Sequence, residues 1–151
     1  MNDRYLFKAK KKNWQELSKG EQWDTGTIMY IENKCMMLIE DEENLLRVHY
    51  LDDEMWSADI YAIEVDESTI CQCTGLKDKN GKLIWENDIV KDENGKLYKA
   101  FWQDSHYQFS WICIKSNLLP VGAKWDFHSI RSYEIEVIGN KFDNPELLEK
   151  V

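Results

Sequence analysis

Short apolar runs that alternate with turn residues predict a mainly β protein: an antiparallel β region over residues 1–64, then a small antiparallel barrel over residues 65–151 that ends in a short helix. Two observations carry this prediction. The runs Ile28 to Ile31, Cys35 to Ile39, Leu45 to Tyr50 and Ile60 to Val65 have the length of strands and are too short for helices. Two Asn-Gly pairs, Asn80-Gly81 and Asn94-Gly95, stand between β-type segments, where a tight hairpin wants positive φ at both central positions. At 151 residues the chain fits one ordinary domain or two very small ones, and it should bury roughly 68–70% of the surface its unfolded form exposes. With 43% hydrophobic and 13% aromatic residues it has the material for a core, so disorder is not expected.

Taken in order, Tyr5 to Phe7 lead into a basic cluster, Lys8, Lys10, Lys11 and Lys12, which gives residues 1–12 a local charge of +4 and leaves −13 on residues 13–151. Lysines in that setting blunt an exposed sheet edge, and this reading is preferred to a binding patch. Glu40-Asp41-Glu42-Glu43-Asn44 reads as a hairpin loop, and Asp52-Asp53-Glu54 as another solvated connection. Asn94-Gly95 joins Ile89-Val90-Lys91 to Lys96-Leu97-Tyr98. Leu97 to Trp102 and Tyr107 to Cys113 are two long strands, with Gln103 to His106 as their turn. The two-residue period puts Phe109, Trp111 and Cys113 on one face. A last strand around Glu134 to Ile138 stops at Gly139, and Asn144-Pro145 opens a short helix with Asn at N-cap and Pro at N1. Only two prolines and seven glycines interrupt the chain, with no linker-like segment and no internal repeat, so any domain boundary is tight. The stretch from Tyr61 to Cys73 reads as either linker or shared strand.

The chemistry-bearing residues mostly take bland readings. A net charge of −9 repels phosphate, which argues against general coating of DNA. Cys35, Cys71, Cys73 and Cys113 are expected to be free buried thiols in a reducing cytoplasm, since there is no secretory h-region and a chain of this size needs no staples. Cys71 and Cys73 share a strand face, but zinc needs four ligands and no second pair accompanies them, so no metal or cofactor is expected. His49, His106 and His128 are scattered with no nucleophile motif beside them. Asp78-Lys79-Asn80-Gly81 has its glycine too early for an EF-hand loop and reads as a hairpin tip. Seven tryptophans, Trp14, Trp23, Trp56, Trp85, Trp102, Trp111 and Trp125, are assigned first to the core, second to a protein interface and third to nucleic acid. The acidic runs at 40–43 and 52–54 admit an imitation of a nucleic-acid backbone, although such runs are normally solvated turns. No apolar run approaches the ~18–20 residues of a membrane span.

Residues 65–90 carry a more specific signal. Thr74-Gly75-Leu76-Lys77-Asp78-Lys79-Asn80-Gly81-Lys82, followed by Asp88-Ile89-Val90, resembles the signature of the YopX family, small proteins of bacteriophages and prophages. Glu136-Val137-Ile138-Gly139-Asn140 and Asn144-Pro145-Glu146-Leu147-Leu148 resemble its closing pattern, and Phe7-Lys8-Ala9-Lys10 with Trp23-Asp24-Thr25-Gly26 its opening. Ala9, Glu67 and Asn87 depart from it, where Gly, Pro and Gly are usual; Asn87 keeps a left-handed turn within reach. The resemblance implies a mostly β protein whose C-terminal half is an SH3-like barrel, in a family with no established biochemical activity. It supplies no catalytic, cofactor-binding or metal residues. The expected function is therefore that of a non-enzymatic phage or prophage accessory protein in the bacterial cytoplasm. It would act by protein–protein contact with a host or phage protein, as a homo-oligomer joined through sheet edges and aromatic surface. The alternative is a nucleic-acid-binding module that uses the basic N-terminal cluster with Trp14.

Overall fold

Strands form where the short apolar runs stand, and two turn designs connect them. The computed structural model describes residues 5–39, 47–52, 55–59 and 62–148. Two units emerge, one of Leu6–Ile70 and the other of Cys71–Val151 together with Met1–Tyr5. The division falls after the expected 64/65 boundary, because Val65 still packs with Ala9, Cys35 and Met37, and the Thr69 hydroxyl accepts the Lys10 N–H at 2.8 Å.

The N-terminal unit holds β1 (Phe7–Lys10), β2 (Trp23–Ile31), β3 (Lys34–Leu38), β4 (Arg47–Asp52), β5 (Met55–Asp59) and β6 (Ala62–Glu64). β6, β3, β2 and β1 pair antiparallel in that order, and β4 pairs with β5. β2 and β3 are joined by Glu32-Asn33, both with positive φ (49° and 64°), the two-residue turn whose twist suits a hairpin. Two-residue alternation puts Cys35 and Met37 into a core completed by Ala9 and Val65, with Phe7, Ile28, Ile63 and Ile70 packed around it. Gly26 sits where an added Cβ would run into the Leu38 carbonyl, so β2 and β3 approach there only because the side chain is missing. The expected Glu40–Asn44 loop lies outside the described residues, as does most of the 52–54 connection.

The C-terminal unit holds β7 (Cys71–Lys77), β8 (Leu83–Trp85), β9 (Asp88–Lys91), β10 (Leu97–Gln103), β11 (Gln108–Lys115), β12 (Lys124–Asp126) and β13 (Glu136–Asn140). β7 and β8 form a hairpin, and the other five make a sheet ordered β12-β11-β10-β9-β13. Tyr98 opposes Cys113, Ala100 opposes Trp111 and Trp102 opposes Phe109, so one face carries the predicted Phe109, Trp111 and Cys113 together. That face meets Ile84, Val90 and Ile135 in the main core. On the other face Ile89, Leu97 and Ile114 are covered by Leu147 and Leu148.

Three expectations are corrected here. The SH3-like barrel is an open sheet among the described residues: its order ends on β12 and β13, and β12, with three residues, offers few groups for closure. The short C-terminal helix is one 3-10 turn, Pro145–Leu147, with Asn144 at N-cap and Pro145 opening it as expected, but without a side-chain cap bond: the Asn144 Oδ1 instead accepts the Asn140 N–H at 3.3 Å. The turn between β10 and β11 is shifted by one residue to Asp104–Tyr107, with Tyr107 in the left-handed region at φ 50°.

The Asn-Gly turns also differ from expectation. Only Gly81 (φ 79°) and Gly95 (φ 77°) have positive φ; their asparagines do not. Each turn is built on the preceding aspartate. Asp78 Oδ1 accepts from the Asn80 and Lys82 N–H groups at 2.8 and 2.9 Å, and Asp92 Oδ1 from Asn94 and Lys96 at 2.9 Å each. Asp-x-Asn-Gly-Lys is thus one turn design used twice.

Candidate interaction surface

The centre of the basic N-terminal cluster is turned inward, while Lys12 stays exposed. Lys10 is only 2% exposed; its Nζ donates to Gln22 Oε1 at 3.0 Å and stands 3.9 Å from the Trp14 ring centroid and 5.4 Å from that of Trp23. Lys8 lies 5.1 Å over the same Trp23 ring, and Lys11 pairs with Asp24 at 3.5 Å. The Trp14 indole N–H donates to Asp66 Oδ2 at 3.1 Å. Hydrogen bonds from Ser68 and Trp14 hold the Asp66 carboxyl below the usual aspartate range, against the opposing effect of burial. A buried ammonium within reach of two indoles is a packing device, and it engages the rings that a stacking platform would use. The lysine at the heart of the cluster therefore does not blunt an edge but fills the interior.

The residues that carry the family signature are likewise tied to the backbone of the C-terminal unit. The Thr74 hydroxyl donates to the Ile84 carbonyl at 2.7 Å and accepts the Leu76 N–H at 3.2 Å, with Gly75 at φ 78° between them. Asp78 is buried, and its Oδ2 takes the Val137 N–H at 3.0 Å. Burial alone would raise the Asp78 carboxyl, but three backbone N–H donors and Lys82 outweigh it and hold the group low. Asn87 adopts φ 67°, as its expected left-handed turn requires, and Asp88 accepts the Trp85 N–H at 2.8 Å.

Reactive side chains do not converge. All four cysteines are buried free thiols, with Cys71, Cys73 and Cys113 at 0% exposure. Burial pushes the Cys113 thiol up, away from the reactive thiolate. Among the described residues no group of three or more His, Cys, Asp or Glu side chains could hold a metal ion. His106 meets Gln103 and Ser105 at 2.8 Å in the β10–β11 turn, and His128 lies 4.0 Å from Asp126; the His49 and Trp56 side chains are outside the described residues. A half-open cleft of about 230 Å³ is lined by Asp92, Glu93, Asn94, Tyr98, Arg131 and Glu134 among others. The Tyr98 hydroxyl there is pushed up to about 12, first by burial and then by Asp92.

Beside Tyr107, Tyr133 and Ile138, two groups of exposed apolar side chains stand out on the C-terminal unit. One is the outer end of an aromatic ladder that starts in the core: buried Trp111 stacks on Phe127 (centroids 4.4 Å apart), Phe127 on Phe109 (5.7 Å), and Phe109 meets Trp102 edge-on (5.2 Å), which is 40% exposed. The other is the segment Ser116 to Gly122, where Leu118 is 83% exposed and Val121 44%. That segment is firmly built. Ser116 Oγ accepts the Leu118 and Leu119 N–H groups at 3.0 and 2.9 Å, the Gly122 N–H reaches the Cys113 carbonyl at 2.8 Å, and Leu119 packs on the core. Sequence reasoning passed over this loop, although a Ser-Asn-Leu-Leu-Pro-Val-Gly stretch sets apolar residues inside turn chemistry. No helix among the described residues is long and apolar enough to cross a membrane.

No curated protein matches the chain. Among solved structures it is similar to protein EF1440 from Enterococcus faecalis, at 24% identity and a TM-score of 0.46, over 78% of this chain and 92% of that one. The family model described as YopX protein matches residues 7–149, nearly the whole length, and the chain belongs to the YopX family.

Proposed function

We propose that the protein is a non-enzymatic phage or prophage accessory factor that works in the bacterial cytoplasm through protein–protein contact, as a homo-oligomer or on a host or phage partner. The observation that carries this reading is the Ser116–Gly122 loop, where hydrogen bonds hold Leu118 outward at 83% exposure beside Val121. A leucine held in water forgoes roughly 1.5–3 kcal/mol of burial, which contact with a partner would recover. The aromatic ladder ending at Trp102 adds a rigid ring of the type that anchors interfaces. The nucleic-acid alternative draws less support, because Lys10, Lys11 and Lys8 are engaged with Gln22, Asp24 and the Trp14 and Trp23 rings.

The test compares wild type with a Leu118→Asp, Val121→Asp double variant by sedimentation equilibrium and by capture from host lysate at low and high salt, with and without nuclease. A self-association or a stoichiometric protein partner that the double variant loses, with its fold intact, supports the reading. A wild type that stays monomeric and captures only nuclease-sensitive material overturns it.

A further inference from the structure

Two asparagines of this chain occupy the same turn, yet the fold treats them differently. Asp78-Lys79-Asn80-Gly81-Lys82 and Asp92-Glu93-Asn94-Gly95-Lys96 share their aspartate bonds and their left-handed glycine, and both asparagines are exposed. The first turn has a second layer of anchors. The Lys79 N–H donates to the Ile135 carbonyl at 3.0 Å, the Lys79 ammonium pairs with Glu136 at 2.8 Å, and Asp78 also takes the Val137 N–H. The second turn has no such ties beyond its own hairpin: Asp92 is half-exposed, and its further neighbour is the Tyr98 hydroxyl on the adjoining β10.

We propose that Asn94 is a site of spontaneous covalent modification in the native protein, converting to aspartate or isoaspartate, and that Asn80 is protected by its anchors. The Gly95 nitrogen attacks Asn94 Cγ, so a Cγ–N bond forms as the Cγ–Nδ2 bond breaks. Ammonia leaves with the proton of the Gly95 N–H, and water then opens the cyclic imide on either side. No oxidant or reductant is needed. In both turns the attacking N–H is tied in the closed state, Gly81 to the Asp78 carbonyl at 2.9 Å and Gly95 to the Asp92 carbonyl at 3.1 Å, so reaction requires local opening. The turn with fewer anchors opens more often. The product adds a negative charge to the rim of the cleft that already carries Asp92, Glu93 and Glu134.

The test is peptide mapping by mass spectrometry after incubation of the full chain at mildly alkaline pH, native and in parallel in strong urea. Native Asn94 should convert about tenfold faster than Asn80, the ratio given by ~1.4 kcal/mol of extra closing free energy. In urea, where only the similar local sequences remain, the two rates should converge. Glu136→Ala should speed Asn80 and leave Asn94 unchanged. Equal native rates, faster conversion of Asn80, or a tenfold ratio that persists in urea would each overturn the proposal.

Discussion

Replacing Asp78 with alanine takes the acceptor from three backbone N–H groups at once, those of Asn80, Lys82 and Val137. A hydrogen bond to a charged acceptor contributes about 1.5–3 kcal/mol. The Asn80 and Lys82 groups sit in an exposed turn and can bind water instead, so together they count for only about 1–2 kcal/mol; the Val137 group, which ties the turn to β13, counts nearly in full. We expect a loss of about 3–4 kcal/mol, a large share of the ~5–15 kcal/mol that holds a domain together. Asp92→Ala is the internal control: the same turn with two N–H donors and no link to β13 should lose only about 1–2 kcal/mol. Urea unfolding followed by near-UV circular dichroism gives both values, and hydrogen exchange at the Val137 amide reports the lost bond directly. The folded Asp78 carboxyl lies below its unfolded value of about 3.9, so its contribution is present above that pH and disappears as pH falls toward the folded value. Wild type and Asp78→Ala should therefore converge in stability at low pH. Equal costs for the two alanine variants, or a Val137 amide still protected without Asp78, would refute the reasoning.

Gly26→Ala should cost more than about 2 kcal/mol and disturb the β2–β3 register, because the new methyl meets the Leu38 carbonyl; thermal melting checks it. Trp14→Leu removes the closer ring from the Lys10 ammonium and the donor from Asp66, and should cost about 2–3 kcal/mol. Lys10→Met removes the buried charge with its partners and should cost less than Trp14→Leu; the reverse order, measured by urea unfolding, would sink the cation–π account. Leu118→Asp should leave stability within about 0.5 kcal/mol while abolishing the contact proposed above.

The strands were legible where the side-chain period is unambiguous: Phe109, Trp111 and Cys113 do share a face, and the run from Cys35 does form a strand. The candidate surface was not. Lysine in a basic run ordinarily reads as solvated, and only the placement of Trp14 and Trp23 around Lys10 makes its burial possible. Leu118 and Leu119 are adjacent and chemically identical, and which of them faces water is decided by the Ser116 bonds and the core beside Leu119.

By itself, then, the sequence determined the mainly β class, the hairpin positions and the YopX signature, because strand period, turn chemistry and family motif are local properties of consecutive residues. Tertiary structure decided the rest. It closed the sheet order on a three-residue β12 instead of joining it into a barrel, carried Val65 to Ile70 into the N-terminal unit, and anchored one Asp-x-Asn-Gly-Lys turn to β13 while leaving its twin without that link. Each of these depends on groups distant in sequence, as Asp78 and Val137 are, and no local pattern encodes whether such partners meet.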